Sequence, residues 1–132
     1  VWNQGGPSKK DISLLVNTIF HSELIVNMGS TMALDAALLN KPSCYINYDV
    51  ESEYNWSVDR IYRFIHFKMI KKQNPVFWIN KREDFLNVIE QALKNPSKTE
   101  KGRENWIKNI TKLPIEESNK RMWNFLLAKD EI

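Results

Sequence analysis

Residues 23–49, ELIVNMGSTMALDAALLNKPSCYINYD, contain the pattern that decides the fold of this chain. Two short apolar runs, residues 24–27 and 44–47, are typical of strands, and the segment between them reads as a helix that stops at residues 40–42. Short and nearly unbroken apolar strands are typical of a parallel sheet that is covered on both faces. The stretch therefore predicts one βαβ unit.

The turn between the first strand and this helix is the candidate ligand site. Gly29 permits a positive φ or a close backbone approach, and the hydroxyl of Ser30 or Thr31 can cap the helix. A helix N-terminus presents unpaired N–H groups and the positive end of the helix dipole. We therefore expect an anion, most often a phosphate, to bind at this junction.

Length and composition indicate a globular chain. Its 132 residues contain no evident internal repeat, which fits one domain, and 42% apolar residues are enough for a core. No apolar run approaches the roughly 20 residues that are needed to cross a bilayer. Cys44 is the only cysteine, so no disulfide can form within the chain, and its place in an apolar strand predicts a buried thiol. A reducing, cytoplasmic environment is the expectation.

Outside the βαβ unit the chain continues to alternate between helices and strands. Amphipathic spacing predicts a helix at residues 11–21, capped by Ser8 or Asp11, and a third apolar strand at residues 76–79. The predicted order is α-β-α-β-α-β-α-α-α, a partial Rossmann-like α/β fold whose short parallel sheet has an exposed edge. The other predicted helices cover residues 56–73, 80–94, 98–112 and 115–129.

This pattern predicts a lead-in or linker at residues 1–10, an α/β unit at residues 11–96 and helices packed on it at residues 97–132. Asn80 and Glu83 are expected to form a capping pair. The aromatic residues of the last two helices are expected to make core or interdomain contacts. The spacing places Ile65 and Met69 on one apolar stripe, and it places Leu86 and Leu93 on the buried side of their helix. The apolar sets of the last two helices include Trp106, Met122, Trp123, Leu126 and Leu127.

Positive charge is concentrated between residues 59 and 72. The whole chain has a net charge of +3, whereas this stretch alone has five basic residues against Asp59, a balance of +4. It can attract a pyrophosphate, a nucleic acid backbone or an anionic membrane surface, or it can be a solvated helix face. Arg60 and His66 lie in this stretch, and Asp49 follows the second strand at the carboxyl edge of the sheet. These three are predicted as further contacts to a donor or an acceptor.

Residues 27–37, NMGSTMALDAA, followed by Asn40-Lys41-Pro42 and an apolar strand, resemble the donor-binding signature in the C-terminal domain of GT-B glycosyltransferases. The relatives concerned are enzymes of surface-polysaccharide synthesis, the lipid-intermediate N-acetylglucosaminyltransferase of peptidoglycan assembly, and the non-hydrolysing UDP-N-acetylglucosamine 2-epimerases. In that pattern a Gly/Ser turn starts a helix whose amides face the pyrophosphate. An acidic residue one to two turns later binds the ribose hydroxyls.

The resemblance assigns a role to four residues of this sequence. It implies that Gly29, Ser30 and Thr31 contact the donor phosphates and that Asp35 contacts the ribose. Aspartate stands here where the family usually has glutamate, and it is shorter by one methylene. A carboxylate can accept hydrogen bonds from two hydroxyl groups, so the chemistry agrees with this assignment.

GT-B enzymes have two Rossmann-like domains with the active site between them. The resemblance implies that this chain is the C-terminal, nucleotide-sugar-binding part of a glycosyltransferase that acts on a cell-surface glycan or a lipid-linked acceptor. Its start at Val1 rather than Met leads us to expect that an N-terminal domain of the same parent is its partner. That domain would supply most of the acceptor site and any catalytic base, so no catalytic residue is assigned. No metal, cofactor or nucleic acid is implied, and the expected location is cytoplasmic or peripheral at the inner membrane face.

Two alternatives remain open at this point. The same scaffold serves UDP-sugar epimerases and polyol-phosphate transferases. A different class is a non-catalytic α/β module that docks to an anionic membrane or a partner through its basic face.

Overall fold

One parallel sheet lies at the centre of the structure, in the strand order β1-β2-β3. The structure is a computed structural model that describes residues 6–50, 57–68, 70–111 and 113–128. The strands are β1 (Ile25–Asn27), β2 (Ser43–Ile46) and β3 (Phe77–Ile79). The predicted α/β class, with a short parallel sheet flanked by helices, is confirmed.

The described residues form seven α-helices. They are α1 (Lys9–His21), α2 (Met32–Leu38), α3 (Val58–Tyr62), α4 (Ile70–Gln73), α5 (Phe85–Lys94), α6 (Glu100–Ile110) and α7 (Ser118–Leu127). Short 3-10 turns precede the last three, at Arg82–Asp84, Pro96–Thr99 and Ile115–Glu117. The predictions for residues 1–5, Trp56, Met69 and Lys129 lie outside the described residues.

Local signals define the start of the first helix and the end of the second. Ser8 Oγ accepts a hydrogen bond from the Asp11 N–H at 3.2 Å, while Asp11 Oδ2 accepts one from the Ser8 N–H at 2.9 Å. This reciprocal cap starts α1 at Lys9, inside the predicted lead-in, and its hydrogen bonds lower the pKa of Asp11. After α2, Asn40 adopts a φ of 53° and the Lys41 N–H donates to Ala36 O at 2.8 Å, so the predicted helix stop is confirmed.

The two faces of the sheet bury different clusters. Tyr45 and Trp78 pair in register and belong to the larger cluster, which α2, α3, α4 and α6 complete. On the other face, Cys44, Phe77 and Ile79 pack against α5. Burial raises the pKa of the Cys44 thiol to about 12, so the residue is the inert buried thiol that the sequence predicts.

The predicted single helix over residues 56–73 is wrong. α3 ends at Tyr62, residues 63–68 form turns, and α4 begins at Ile70. Tyr62 and Phe67 are both buried around Tyr45, with ring centroids 6.2 Å apart. A continuous helix would point their side chains about 140° apart, so the helix has to break for both to reach the core. Ile65, which the stripe placed inside, is 81% exposed.

The capping pair that we predicted for the next helix is also wrong. Lys81 precedes the 3-10 turn there, no side chain caps the turn, and Asn80 bonds to another strand end instead. Leu86 and Leu93 are exposed, because α5 turns a different stripe toward the sheet, and the small Ala92 allows close packing. That buried stripe is Phe85, Val88, Ile89 and Ala92.

The last two helices differ in how they pack. Trp106 of α6 is 1% exposed in the larger cluster, as predicted. α7 makes its main contacts with the turn before it, and its apolar side chains are half or more exposed. These side chains therefore lie outside the core of the described residues, and the interdomain contacts expected for the aromatic residues of these helices stay a prediction. The exposed side chains are Met122, Trp123, Leu126 and Leu127.

Candidate functional site

The turn at Gly29 has the geometry that the sequence predicts. Gly29 has a φ of 60°, in the left-handed region that favours glycine, and it lies directly after β1 at the carboxyl edge of the sheet. A Cβ on Gly29 would overlap Ile61 Cγ2 and would lie 3.3 Å from Tyr62 Cε1. The positive φ is confirmed, and the atoms that approach Gly29 closely belong to side chains. The approaching group is α3.

Two side chains of the turn accept hydrogen bonds from backbone amides at the start of α2. The Ser30 N–H donates to Asn27 Oδ1 at 3.2 Å, and the Met32 N–H donates to Ser30 Oγ at 3.2 Å. Ser30 is therefore the capping hydroxyl, whereas Thr31 makes no capping bond and is exposed. Asn27 Nδ2 is buried beside this turn, with no hydrogen-bond partner among the described residues. The turn is preformed, and it keeps one orphaned donor.

Tyr62 covers the space between the ends of β1 and β2. Its hydroxyl donates to Ile46 O at 2.6 Å. Burial raises the pKa of Tyr62 above its usual value, and a hydrogen bond with the Gly29 backbone partly opposes this. The hydroxyl stays neutral at physiological pH. Tyr62 thus forms a polar but uncharged lining beside the Gly29 turn.

Asp35 lies on a different side of α2 from Gly29 and Ser30. It follows Thr31 by four residues, and its N–H lies 3.3 Å from Thr31 O, so these two residues share a helix face. Gly29 and Ser30 contact α3 and β2 instead, through Ile61 and through the Tyr45 hydroxyl, which donates to Ser30 O at 2.8 Å. The four predicted residues therefore form two pairs, Gly29 with Ser30 and Thr31 with Asp35.

The Asp35 carboxylate borders an apolar groove of about 240 Å³ between α1 and α2. Partial burial there raises its pKa, because leaving water disfavours the charged form. The other residues that line the groove are Ile12, Leu15, Val16, Ile19, Leu38 and Leu39.

The three additional contacts that we predicted have separate surroundings. Asp49 Oδ1 accepts a hydrogen bond from the Val58 N–H at 2.8 Å, so this carboxylate caps α3. Arg60 is exposed on α3. His66 is exposed in the turn after α3, with its ring centroid 4.1 Å from that of Phe67. Asp49 therefore has a capping role, whereas the side chains of Arg60 and His66 are accessible to solvent.

The basic stretch does not form one continuous helix face. Arg63 makes an ion pair with Asp59, and turns separate α3 from Lys71 and Lys72 in α4. Part of the positive charge is neutralised locally, and the rest is divided between two short helices.

Sequence reasoning missed two asparagines at the carboxyl edge. Asn47 follows β2 and Asn80 follows β3, and Asn47 Nδ2 donates to Asn80 Oδ1 at 2.8 Å. A groove of about 380 Å³ lies beside them, lined also by Lys71, Asn74 and Trp78. The available signal was that each asparagine stands directly after an apolar strand, where open α/β sheets bind ligands.

Asn80 also lines another groove, of about 290 Å³. Its wall includes Asp49 together with Lys81 and Arg82. Charged groups of both signs therefore border the edge of the sheet next to the paired asparagines.

Comparison of the chain with family models, curated proteins and solved structures finds no match. Among the helices of the described ranges, none is long and apolar enough to cross a membrane. The same residues contain no group of three or more His, Cys, Asp or Glu that could hold a metal ion. The site has to be interpreted from its own geometry.

Proposed function

We propose that this chain is the donor-binding part of a GT-B glycosyltransferase, which transfers a sugar from a nucleotide-sugar to a cell-surface or lipid-linked acceptor. The observation that carries the proposal is the Gly29 turn, which has positive φ and joins a parallel strand to a helix at the carboxyl edge of the sheet.

In this proposal the donor diphosphate binds at the exposed start of α2. The hydroxyl of Thr31 donates to a phosphate oxygen, and Arg60 adds positive charge from α3. These groups stabilise the negative charge that develops on the nucleoside diphosphate as it leaves. Asp35, one turn from Thr31, accepts hydrogen bonds from the ribose hydroxyls. The acceptor and any catalytic base come from a partner domain of the same parent.

Exposed apolar surface on the described chain is available for such a partner. Val26 in β1 is 40% exposed, because α5 covers β2 and β3 but leaves this face of β1 open. Met122 and Trp123 of α7 are more than 60% exposed. Apolar patches of this kind commonly mark interaction sites. The interaction-module alternative has less support, since the basic helix that it needs is divided.

Titration of the chain with UDP, CDP, GDP and ADP tests the proposal. We expect one nucleotide to bind saturably and to shift the amide resonances of Gly29, Ser30 and Thr31. Thr31→Val removes a hydroxyl without changing the side-chain shape, and Asp35→Ala removes the ribose acceptor. Each should weaken binding about tenfold, the effect of one or two good hydrogen bonds.

The matched control for Asp35→Ala is Glu90→Ala on α5. This helix packs on the face of the sheet opposite to α2. This variant should bind the nucleotide as the original chain does. Unchanged affinity in both Thr31→Val and Asp35→Ala, with the fold intact by circular dichroism, would contradict the proposed donor site.

Asp35→Asn is expected to stabilise the fold at neutral pH. The pKa of Asp35 is higher in the folded state than in the unfolded state. The stability that its protonated form contributes is therefore complete at pH values below the unfolded-state pKa. It is lost as the pH rises through the folded-state pKa. The neutral amide avoids this loss. Urea unfolding at several pH values should show the free energy of unfolding of Asp35→Asn, relative to the original chain, increasing from pH 4 to pH 7. A pH-independent difference would show that desolvation of Asp35 has no such effect.

A further inference from the structure

Asn47 and Asn80 extend the register of the sheet by one step. Ile46 pairs with Ile79, and the next residues, Asn47 and Asn80, stand side by side at the carboxyl edge. The Asn47 N–H donates to Ile79 O at 2.8 Å, so β2 and β3 stay hydrogen-bonded one residue beyond their last paired positions. The side chains then bond to each other, Nδ2 of Asn47 to Oδ1 of Asn80, at 2.8 Å.

This bond leaves a defined set of polar atoms for a ligand. Each amide has one carbonyl oxygen and one NH₂ group. Because one Nδ2 and one Oδ1 are used, Oδ1 of Asn47 and Nδ2 of Asn80 remain, and no other group among the described residues bonds to them. An acceptor and a donor are therefore available on two side chains that are hydrogen-bonded to each other. Vicinal hydroxyls, each of which donates and accepts, match this arrangement.

The groove beside the pair has the size and walls of a sugar subsite. Its volume of about 380 Å³ is at the small end of the roughly 300–1,000 Å³ found for ligand pockets. Half-buried Trp78 supplies an apolar wall, and its ring is positioned by Tyr45 and Tyr62, with centroid distances of 5.7 and 4.9 Å. Lys71 adds a polar group on the α4 side. Sugar rings present both apolar C–H faces and hydroxyls, so one ring can use all three features.

The pair also stands near the Gly29 turn. Asn27, Tyr45 and Trp78 align in register, and Gly29, Asn47 and Asn80 each follow their strand partner by two residues. Neighbouring strands lie about 4.8 Å apart, so the pair begins one strand away from the turn and ends roughly 10 Å from it. A ligand whose diphosphate binds at the turn can extend along this edge to the pair.

We propose that the Asn47–Asn80 pair and its groove bind the vicinal hydroxyls of a sugar ring. The assignment of that ring to the donor rests on the proposed function. The hydroxyl-binding chemistry of the pair does not, because it follows from the amides and Trp78 alone.

The side-chain NH₂ resonances of Asn47 and Asn80 allow a direct test by NMR. The chain is titrated with UDP, CDP, GDP and ADP and with UDP-glucose, UDP-N-acetylglucosamine, CDP-glucose, GDP-mannose and ADP-glucose. We expect a nucleotide-sugar to shift both side-chain signals, whereas its nucleoside diphosphate alone leaves them unchanged. Asn80→Ala should weaken binding of the nucleotide-sugar about tenfold without changing that of the diphosphate. Asn87→Ala, an exposed asparagine of α5, is the matched control and should change neither.

If a nucleoside diphosphate shifts the NH₂ signals of Asn47 and Asn80 as strongly as its nucleotide-sugar does, these side chains contact the base or the phosphates. That result would overturn the proposal. If none of the nucleotides binds at Gly29 and Asp35, the proposed function fails but the subsite is still tested by free glucose, galactose and N-acetylglucosamine at tens of millimolar. Shifts of both signals that Asn80→Ala abolishes support the subsite. Unchanged signals with every sugar and nucleotide-sugar refute it.

Discussion

Gly102→Ala is expected to destabilise the chain by about 3 kcal/mol, the upper end of the usual cost of overpacking. Gly102 lies inside α6, where a Cβ would overlap the backbone carbonyl oxygens of Gln73 and Asn74 at the end of α4. Backbone atoms cannot rotate aside as the end of a side chain can. The helix-propensity gain of about 1 kcal/mol for alanine over glycine is too small to offset this overlap. Urea unfolding followed by circular dichroism measures the change.

Gly6→Ala is the matched control for this prediction. Among the described residues, no atom lies within 4 Å of a Cβ built on Gly6, which is exposed before α1. Its free energy of unfolding should therefore stay within about 0.5 kcal/mol of the original. A Gly102→Ala midpoint as close to the original as that of Gly6→Ala would mean that α4 and α6 do not pack backbone to backbone.

Arg103→Met is expected to have an effect of similar size, about 3 kcal/mol, because it removes charged hydrogen bonds from a buried site. Arg103 is 3% exposed. Its Nη1 donates to Pro96 O at 3.0 Å and to Thr99 Oγ1 at 2.6 Å, and its Nη2 donates to Asn40 Oδ1 at 2.7 Å. Methionine fills a similar volume but leaves these three acceptors without the guanidinium.

Burial lowers the pKa of Arg103, and the nearby Glu100 partly opposes this. The guanidinium remains charged at neutral pH, and it links α6 to the turn after α2. Arg82→Met, on an exposed side chain, is the control and should change stability by less than about 0.5 kcal/mol. Equal unfolding midpoints for the two variants would contradict a structural role for the Arg103 network.

The turn at Gly29 could be predicted from the sequence, but the surroundings of Asp35 could not. A glycine with positive φ between an apolar strand and a helix is a local requirement, so the conformation of Gly29 and the capping hydroxyl of Ser30 were predictable from residues 27–32. The surroundings of Asp35 were not predictable in this way. They depend on how α1 packs on α2, and this packing puts the carboxylate beside an apolar groove rather than beside Gly29.

Local sequence patterns are enough to predict the βαβ unit, the three strands, the cap at Ser8 and the helix stop at Asn40, because each depends on neighbours within a few residues. Long-range packing sets the break after Tyr62, the pairing of Asn47 with Asn80 and the bond from Arg103 to Asn40. The last two join residues 33 and 63 positions apart. Such contacts form when the sheet brings strand ends together and when buried groups must find partners, and no local pattern encodes either condition.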